Sequence, residues 1–322
     1  MNSLIMTVLN ESDLLPKWFK NISIQTKQPD EIVIVDGGSG DETWEYLLKM
    51  SEKMPNLKVF REPGNIAHGR NFAIRKSTGN LIVSTSAGCT YSPNWFKMIT
   101  EPFADKNVAW ATTGFGPWLE QGDSMLTQLI AAASIPQRNE FRRNWLPSSR
   151  SVAFLRDRWQ TAGGYPEWVS NCEDELFDKK LIRKEGSPVF IREPLVFWRP
   201  RTSLAKFFKM LFGYSRGEGL ASLSVQRHIL RMVSYFLSVI FVIFSAWYSP
   251  LYLLIIAALT LGYFDRYWKR WMAITPGRAF VFSFFGMLIL PMVVIFGDLA
   301  KILGFITGTI KRQFKLSEIE YY

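Results

Sequence analysis

A chain of 322 residues with a formal charge of +10, 48% hydrophobic and 15% aromatic, has room for one large α/β domain and something more, and is apolar-rich for a fully soluble enzyme. Its two cysteines, Cys89 and Cys172, and two histidines, His68 and His228, stand at spacings that exclude a disulfide framework and a metal knuckle. No internal repeat or low-complexity stretch is present, and no signal peptide is expected, because the chain opens directly into an apolar strand.

The run 3–9 predicts a strand entering the polar loop Asn10-Glu11-Ser12, with a helical pattern over 13–24. The next apolar run, 32–35, ends in Asp36-Gly37-Gly38-Ser39-Gly40-Asp41. Taken alone, Asp-Gly-Gly-Ser is a turn. After a buried strand it is also a carboxylate beside backbone with no side-chain bulk, where amides can approach a ligand. A helical pattern over 42–53, a strand at 57–60, Arg61-Glu-Pro-Gly64-Asn65, and a helix over 66–77 follow. The strand beginning Gly79-Asn-Leu-Ile-Val ends in Ser86-Ala87-Gly88-Cys89. Alternation of this kind predicts an open, mostly parallel sheet carrying ligands along its carboxyl edge. The absence of G-x-G-x-x-G after the first strand disfavours a dinucleotide fold.

Pro147-Ser148-Ser149-Arg150-Ser151 reads as a polar loop entering another strand, while Arg142 and Arg143 just upstream read as a solvated helix face. Asn171-Cys172-Glu173-Asp174-Glu175 opens a helix whose first-turn acids are explained by the helix dipole alone. Glu175 and Asp178 read as solvated charges. Trp198 reads equally as core or as a stacking surface, and Trp95, Trp118 and Trp168 as packing. Residues 199–231 carry seven Lys or Arg against one acid, interleaved with Phe207, Phe208, Leu211, Phe212 and Tyr214. This basic aromatic linker suits a membrane surface, or, for 204–212, a solvated linking helix; its position argues against nucleic acid.

From 232 to 248, 251 to 264 and 279 to 296 the chain is almost wholly apolar, which predicts about three transmembrane helices over 232–310. The middle run is short against the ~20 residues of a full span. The basic loop Asp265-Arg-Tyr-Trp-Lys-Arg-Trp271 belongs on the cytoplasmic side by the positive-inside rule, together with the N-terminal domain. Residues 298–310 return through the bilayer or lie along it as an amphipathic helix, followed by a basic tail, 311–322.

Several of these elements, in order, carry a family resemblance. Asn10-Glu11, the Asp36-Gly-Gly-Ser-Gly-Asp41-Glu-Thr block, Gly64-Asn-Ile-Ala-His68-Gly-Arg70-Asn71, Gly79-Asn-Leu-Ile-Val, Gly163-Gly-Tyr-Pro-Glu167, Glu173-Asp174 and Trp198-Arg199-Pro-Arg201 resemble glycosyltransferase family 2, the inverting nucleotide-sugar transferases with the GT-A fold. The resemblance covers roughly residues 1–220. It implies an α/β GT-A domain there, followed by an α-helical membrane domain. It also implies donor contacts from Asn10, Glu11, Asp36, Gly38, Arg70, Asn71, Ser86 and Gly88, with Asp36 accepting a hydrogen bond from the nucleotide base. Asp174 becomes the general base with Glu173 beside it, and Arg150, Trp198, Arg199 and Arg201 become acceptor or diphosphate contacts.

The family ends the strand before Ser86 with Asp-x-Asp or Asp-Ala-Gly. Here Ser86 and Gly88 hold the acidic places, so Mg2+ or Mn2+ dependence is in doubt. A metal-free variant, an ion held by a carboxylate elsewhere, and a chain that has lost activity all stay open. The expected partners are a nucleotide-sugar donor, a lipid-linked or glycan acceptor and membrane lipids, at the cytoplasmic face of the inner membrane in a multi-pass chain. A polyprenyl-phosphate glycosyltransferase and a non-catalytic scaffold are the alternatives. Too few apolar segments and no Gln-x-x-Arg-Trp motif count against a processive synthase.

Overall fold

In the computed structural model, which describes residues 1–137, 140 and 147–314, strands β1 (Asn2–Val8), β2 (Glu31–Asp36), β3 (Leu57–Arg61) and β4 (Leu81–Ser84) pair in parallel in the order β3-β2-β1-β4. Helices α1 (Leu15–Ser23), α2 (Thr43–Ser51) and α3 (Ile66–Lys76) connect them. The sheet continues from β4 through β7 (Val152–Leu155), β6 (Trp110–Pro117) and β8 (Val189–Trp198) to β5 (Cys89–Tyr91). Of these pairings, only β6 with β8 is parallel. Helices α4 (Trp95–Thr100), α6 (Arg156–Thr161) and α7 (Glu173–Glu185) complete this part.

The apolar runs are continuous because both faces of the sheet are covered. Successive residues of a strand point to opposite faces, so Leu4, Met6 and Val8 join Trp18, Phe19, Ile32 and Ile34 in one core. Ile5 joins Val33, Val35, Ile74 and Phe177 in the other. Full burial of each such aliphatic side chain is worth about 1.5–3 kcal/mol. The parallel register brings the carboxyl ends of β1, β2, β3 and β4 to one rim. There Asn10, at φ 56°, turns the chain out of β1, and Asn65 caps α3 by accepting from the His68 amide at 2.9 Å.

The chain divides into two compact units, one of Met1–Trp118 with Pro136–Arg199 and one of Leu119–Ile135 with Pro200–Tyr322. Helix α5 (Met125–Ser134) lies in sequence among the sheet elements, yet it packs against α10 (Leu251–Ile274) and α11 (Phe280–Phe314). Arg270 fixes it by donating to the Ala132 carbonyl at 3.3 Å.

Within the second unit, α8 (Leu204–Leu220) packs along α11 through glycines. A Cβ at Gly304 would fall 2.3 Å from the Phe212 carbonyl oxygen, so this close approach requires residues without side chains. Among the described residues, α9 (Val225–Trp247) and α11 are long and apolar enough to cross a membrane. Helix α10 carries Asp265, Arg266, Lys269 and Arg270 in its second half, which explains why its apolar run looks short. α11 is one 35-residue helix with Pro291 inside it, where the sequence suggested two segments. Asp298, fully buried in α11, is paired with Arg231 at 3.2 Å and Lys301 at 3.0 Å and accepts from the Tyr235 and Tyr263 hydroxyls, as a buried charge must be. Residues 315–322 of the basic tail, and Arg142 and Arg143, lie outside the described residues.

Candidate active site

The loops after β1 and β2 are knitted into one wall of the rim. Ser39 donates to Asp36 Oδ1 from its amide at 3.0 Å and its hydroxyl at 2.5 Å, and its Oγ accepts from the Asn10 amide at 2.8 Å. Asn10 Oδ1 accepts from the Gly40 amide at 2.9 Å. Thr43 Oγ1 takes the Glu11 amide at 2.9 Å, and Asp41 takes the Ser12 hydroxyl at 2.9 Å. Gly38, at φ 96°, makes the turn that folds Ser39 back onto Asp36, a backbone region that side chains rarely adopt. Asp36 itself is completely buried. Its Oδ2 has no hydrogen-bond partner, although Arg61 Nε stands 3.4 Å away as an ion-pair partner. A buried carboxylate oxygen without a hydrogen bond is an acceptor prepared for an N–H donor.

A second wall joins α3, the loop before α7 and the first turn of α7. Arg70 and Glu173 form a buried ion pair at 2.5 Å, and the guanidinium lies 5.3 Å from the centre of the Tyr165 ring. Burial alone would lower the pKa of Arg70, but the charges of Glu173, Tyr165 and Asp174 and the hydrogen bond to Glu173 together outweigh it and raise it. Asn71 Nδ2 donates to the Tyr165 carbonyl and to Glu167 Oε1, both at 2.8 Å. Its Oδ1 accepts from the Tyr165 amide at 2.9 Å and the Trp159 indole at 3.1 Å. Both Arg70 and Asn71, which the resemblance placed at the donor, thus hold neighbouring protein elements. Gly164, at φ 73°, passes so close that a Cβ there would lie 2.9 Å from Asn71 Oδ1.

Asp174 is half-buried in the first turn of α7, where its Oδ1 accepts from the Glu175 amide at 2.9 Å. Cys172 precedes the helix in the left-handed region at φ 66°. Glu175 pairs with Lys179 at 3.0 Å. Asp178, read from the sequence as a solvated charge, is instead 1% exposed, with no hydrogen bond to either carboxylate oxygen. Burial, then the charges of Asp174 and Glu175, push its carboxyl well above the usual range. The apolar spacing of Leu176, Phe177 and Leu181 fixes the inward face of α7, and Asp178 falls on that face as well.

The third wall is the turn after β4. The antiparallel register Ser84 to Val152 delivers the Ser148–Ser151 loop beside Ser86, and Ser84 Oγ donates to the Ser149 carbonyl at 2.8 Å. Tyr91 accepts from the Ser86 amide and donates to the Ser86 carbonyl, both at 3.1 Å. Cys89 pairs with Trp198 across β5 and β8, and the Arg199 amide donates to the Gly88 carbonyl at 3.1 Å. Arg150 lies over the Trp198 ring, its guanidinium carbon 4.0 Å from the ring centre. Trp118, expected only to pack, has Lys17 at 5.3 Å and Arg199 at 5.9 Å from its ring and accepts from Arg199 through its carbonyl at 3.2 Å. Burial pushes the Cys89 thiol up to about 12, so it stays protonated. Arg201 is exposed and opens the other unit.

A divalent cation at this turn would take one or two protein carboxylates, with diphosphate and water oxygens completing its shell. Ser86 offers a hydroxyl and Gly88 only backbone, while Glu11 brings one carboxylate whose charge reaches Cys89. Among the described residues no three His, Cys, Asp or Glu side chains gather to hold an ion. With no carboxylate at Ser86 or Gly88, the turn itself does not fit such a cation. A separate hollow lined by Asn2, Lys27, Asn80, Lys97 and Thr100 lies at the amino ends of β1 and β4 and gathers no comparable chemistry.

Sequence reasoning missed Ser39, Tyr91, Ser149, Tyr165 and Glu167 as parts of these walls. A serine three residues after a strand-end aspartate was a usable signal for Ser39. The others depend on register between distant strands.

Residues 3–157 match the family described as Glycosyl transferase family 2. The succinoglycan biosynthesis protein ExoA of Rhizobium meliloti is 24% identical over 196 residues, 58% of this chain and 59% of ExoA, so the match spans under two thirds of that relative. Glycosyltransferase AglE of Haloferax volcanii is 28% identical over 228 residues, 67% of this chain and 72% of AglE. The mannosyltransferase PcManGT from Pyrobaculum calidifontis, solved in complex with GDP-Man and Mn2+, shares the fold at a TM-score of 0.52 and 16% identity, over 98% of this chain and 87% of that one. With a parallel half-sheet ending in this rim, residues 3–157 match glycosyltransferase family 2, and the domain they build has the GT-A-type fold.

Proposed function

We propose that the chain transfers a sugar, with inversion, from a nucleoside-diphosphate donor to a hydroxyl of a lipid-linked or glycan acceptor at the cytoplasmic face of a membrane. The observation that carries this reading is Asp36 Oδ2, a buried acceptor at the carboxyl end of β2 with no hydrogen bond of its own. Uracil and guanine present ring N–H donors to such an oxygen, and a base without one would leave it unsatisfied. Asn10, Glu11, Gly38 and Ser39 shape the rest of that wall.

In the reaction the acceptor oxygen attacks the anomeric carbon as its bond to the diphosphate oxygen breaks on the opposite side. One displacement inverts the configuration. Asp174 takes the acceptor proton on Oδ2, because the Glu175 amide already binds Oδ1. Arg70 and Glu173 fix the start of α7 and hence the position of that base, and Asn71 holds the Tyr165–Glu167 loop beside it. The apolar helices α9 and α11, the basic aromatic α8 and the likeness to the succinoglycan biosynthesis protein ExoA support an amphiphilic acceptor.

The test is thermal unfolding of the purified full chain with a panel of nucleotide sugars. A ligand bound by the folded state alone, at 100 times its Kd, adds about 2.7 kcal/mol of stability. A raised Tm with donors whose base carries a ring N–H (uridine, thymidine or guanosine), and not with adenosine or cytidine donors, is the expected result. Stabilisation by adenine donors alone, or by none, rejects the reading.

A further inference from the structure

We propose that Arg150, held against Trp198, supplies at the Ser86–Cys89 turn the positive charge that receives the departing diphosphate, so that this chain works without a divalent cation. The inference rests on the transferase reading above and names how its leaving group is stabilised. Ser86 and Gly88 give the turn no carboxylate for a cation to share with the diphosphate, whereas Arg150 reaches it from the loop before β7 and Arg199 adjoins it through the Gly88 carbonyl.

Arg150 arrives by strand register rather than by sequence neighbourhood. The pairing of β4 with β7 sets its loop beside Ser86, and the pairing of β5 with β8 sets Trp198 opposite Cys89. The Arg150 guanidinium carbon lies 4.0 Å from the centre of the Trp198 ring, and Arg150 Nη1 donates to Ser148 Oγ at 2.8 Å, so two contacts hold the side chain. Its charge is close enough to Cys89 to oppose the effect of burial on that thiol. The planar guanidinium can offer paired N–H donors to two phosphate oxygens. Arg199 and Lys17 stand around the neighbouring indole of Trp118 and extend the positive rim.

When the anomeric C–O bond breaks, its electron pair goes to the β-phosphate oxygen and the diphosphate gains one negative charge. The acceptor proton goes to Asp174. No redox partner or further reactant is required. Preorganised cations aimed at developing charge are the kind of stabilisation that needs no rearrangement during the reaction.

Calorimetric titration of the full chain with UDP, GDP, CDP and dTDP, and with the matching nucleosides, in EDTA and then in Mn2+, tests this. The diphosphate that binds should do so within twofold in both conditions. Arg150→Gln should weaken it at least tenfold while changing nucleoside affinity less than twofold, and Arg150→Lys, which keeps the charge but not the fork, should fall between. Tm values matching wild type establish that the variants are folded. Mn2+ tightening the wild-type diphosphate complex tenfold or more overturns the proposal, as does unchanged diphosphate affinity in Arg150→Gln. If nucleosides and diphosphates all fail to bind, the transferase reading itself falls, and the proposal with it.

Discussion

Arg70 of α3 and Glu173 of α7 meet at 2.5 Å with 8% and 6% of their side chains exposed. This pair joins the helix that follows β3 to the helix that carries Asp174. Removing one partner leaves a buried charge uncompensated, which typically costs 3–5 kcal/mol. Glu173→Leu and Arg70→Met should therefore each lower denaturant stability by about 3–5 kcal/mol, while the double variant that combines them should recover much of the loss. Urea unfolding of the four proteins measures the coupling. If each single variant is as stable as wild type, the pair does not hold α7 in place.

What the sequence made legible was whatever depends on local pattern. Continuous apolar runs marked β1, β2 and β4 as strands covered on both faces, and Asp36 stood out because glycines follow it directly. Pairing across distance was not legible. Asn71 follows Arg70 in a motif, but only the fold reveals that all its polar atoms go to Tyr165, Glu167 and Trp159. Asp178 looked solvated since a carboxylate on a helix usually is, and its burial follows from packing of α7 against the sheet. α5 carried no sign in its own sequence that it belongs with α10 and α11. The encounter of Arg150 with Trp198 needs two strand registers at once.

Asp174→Asn should abolish transfer to a hydroxyl acceptor and leave nucleotide affinity near wild type, since the substitution keeps size and removes only the proton acceptor. General-base catalysis is worth about 10²–10⁴-fold, so kcat should fall by that order. Single-turnover transfer, read beside calorimetric binding, separates the two effects. Undiminished turnover in this variant would refute the base assignment.

Asp36→Ala should act on binding instead. Loss of a charge-assisted hydrogen bond to the base costs about 1.5–3 kcal/mol, or roughly 10- to 150-fold in Kd. Ser39, which donates twice to Asp36 Oδ1, orients that carboxylate, so Ser39→Ala should weaken binding in the same direction by a smaller factor. Titration with the nucleoside alone, where the diphosphate cannot contribute, is the discriminating measurement. Equal nucleoside affinity in Asp36→Ala and wild type would remove Asp36 from base recognition.

His68 gives the site wall a pH dependence whose sign follows from its partners. Its Nδ1 faces Glu167 at 2.8 Å and its Nε2 faces Glu62 at 3.1 Å, and hydrogen bonds to those carboxylates, Glu167 first, raise its pKa above 6.5. A histidine raised in the folded state contributes stability fully below its unfolded value and loses it as pH climbs through the folded one. The hydrogen bonds that Asn71 and His68 make to Glu167 outweigh its burial and lower its pKa below 4.5. Its contribution is thus present above that value and lost as pH falls through the folded one. The two windows overlap between about 4.5 and 6.5, where wild type should exceed His68→Gln most in Tm. Above the folded pKa of His68 the neutral ring keeps only one N–H to donate, and the difference should shrink. Thermal unfolding of both proteins from pH 4 to 9 reads this directly, and a difference that grew toward pH 9 would show that protonated His68 does not bridge the two glutamates.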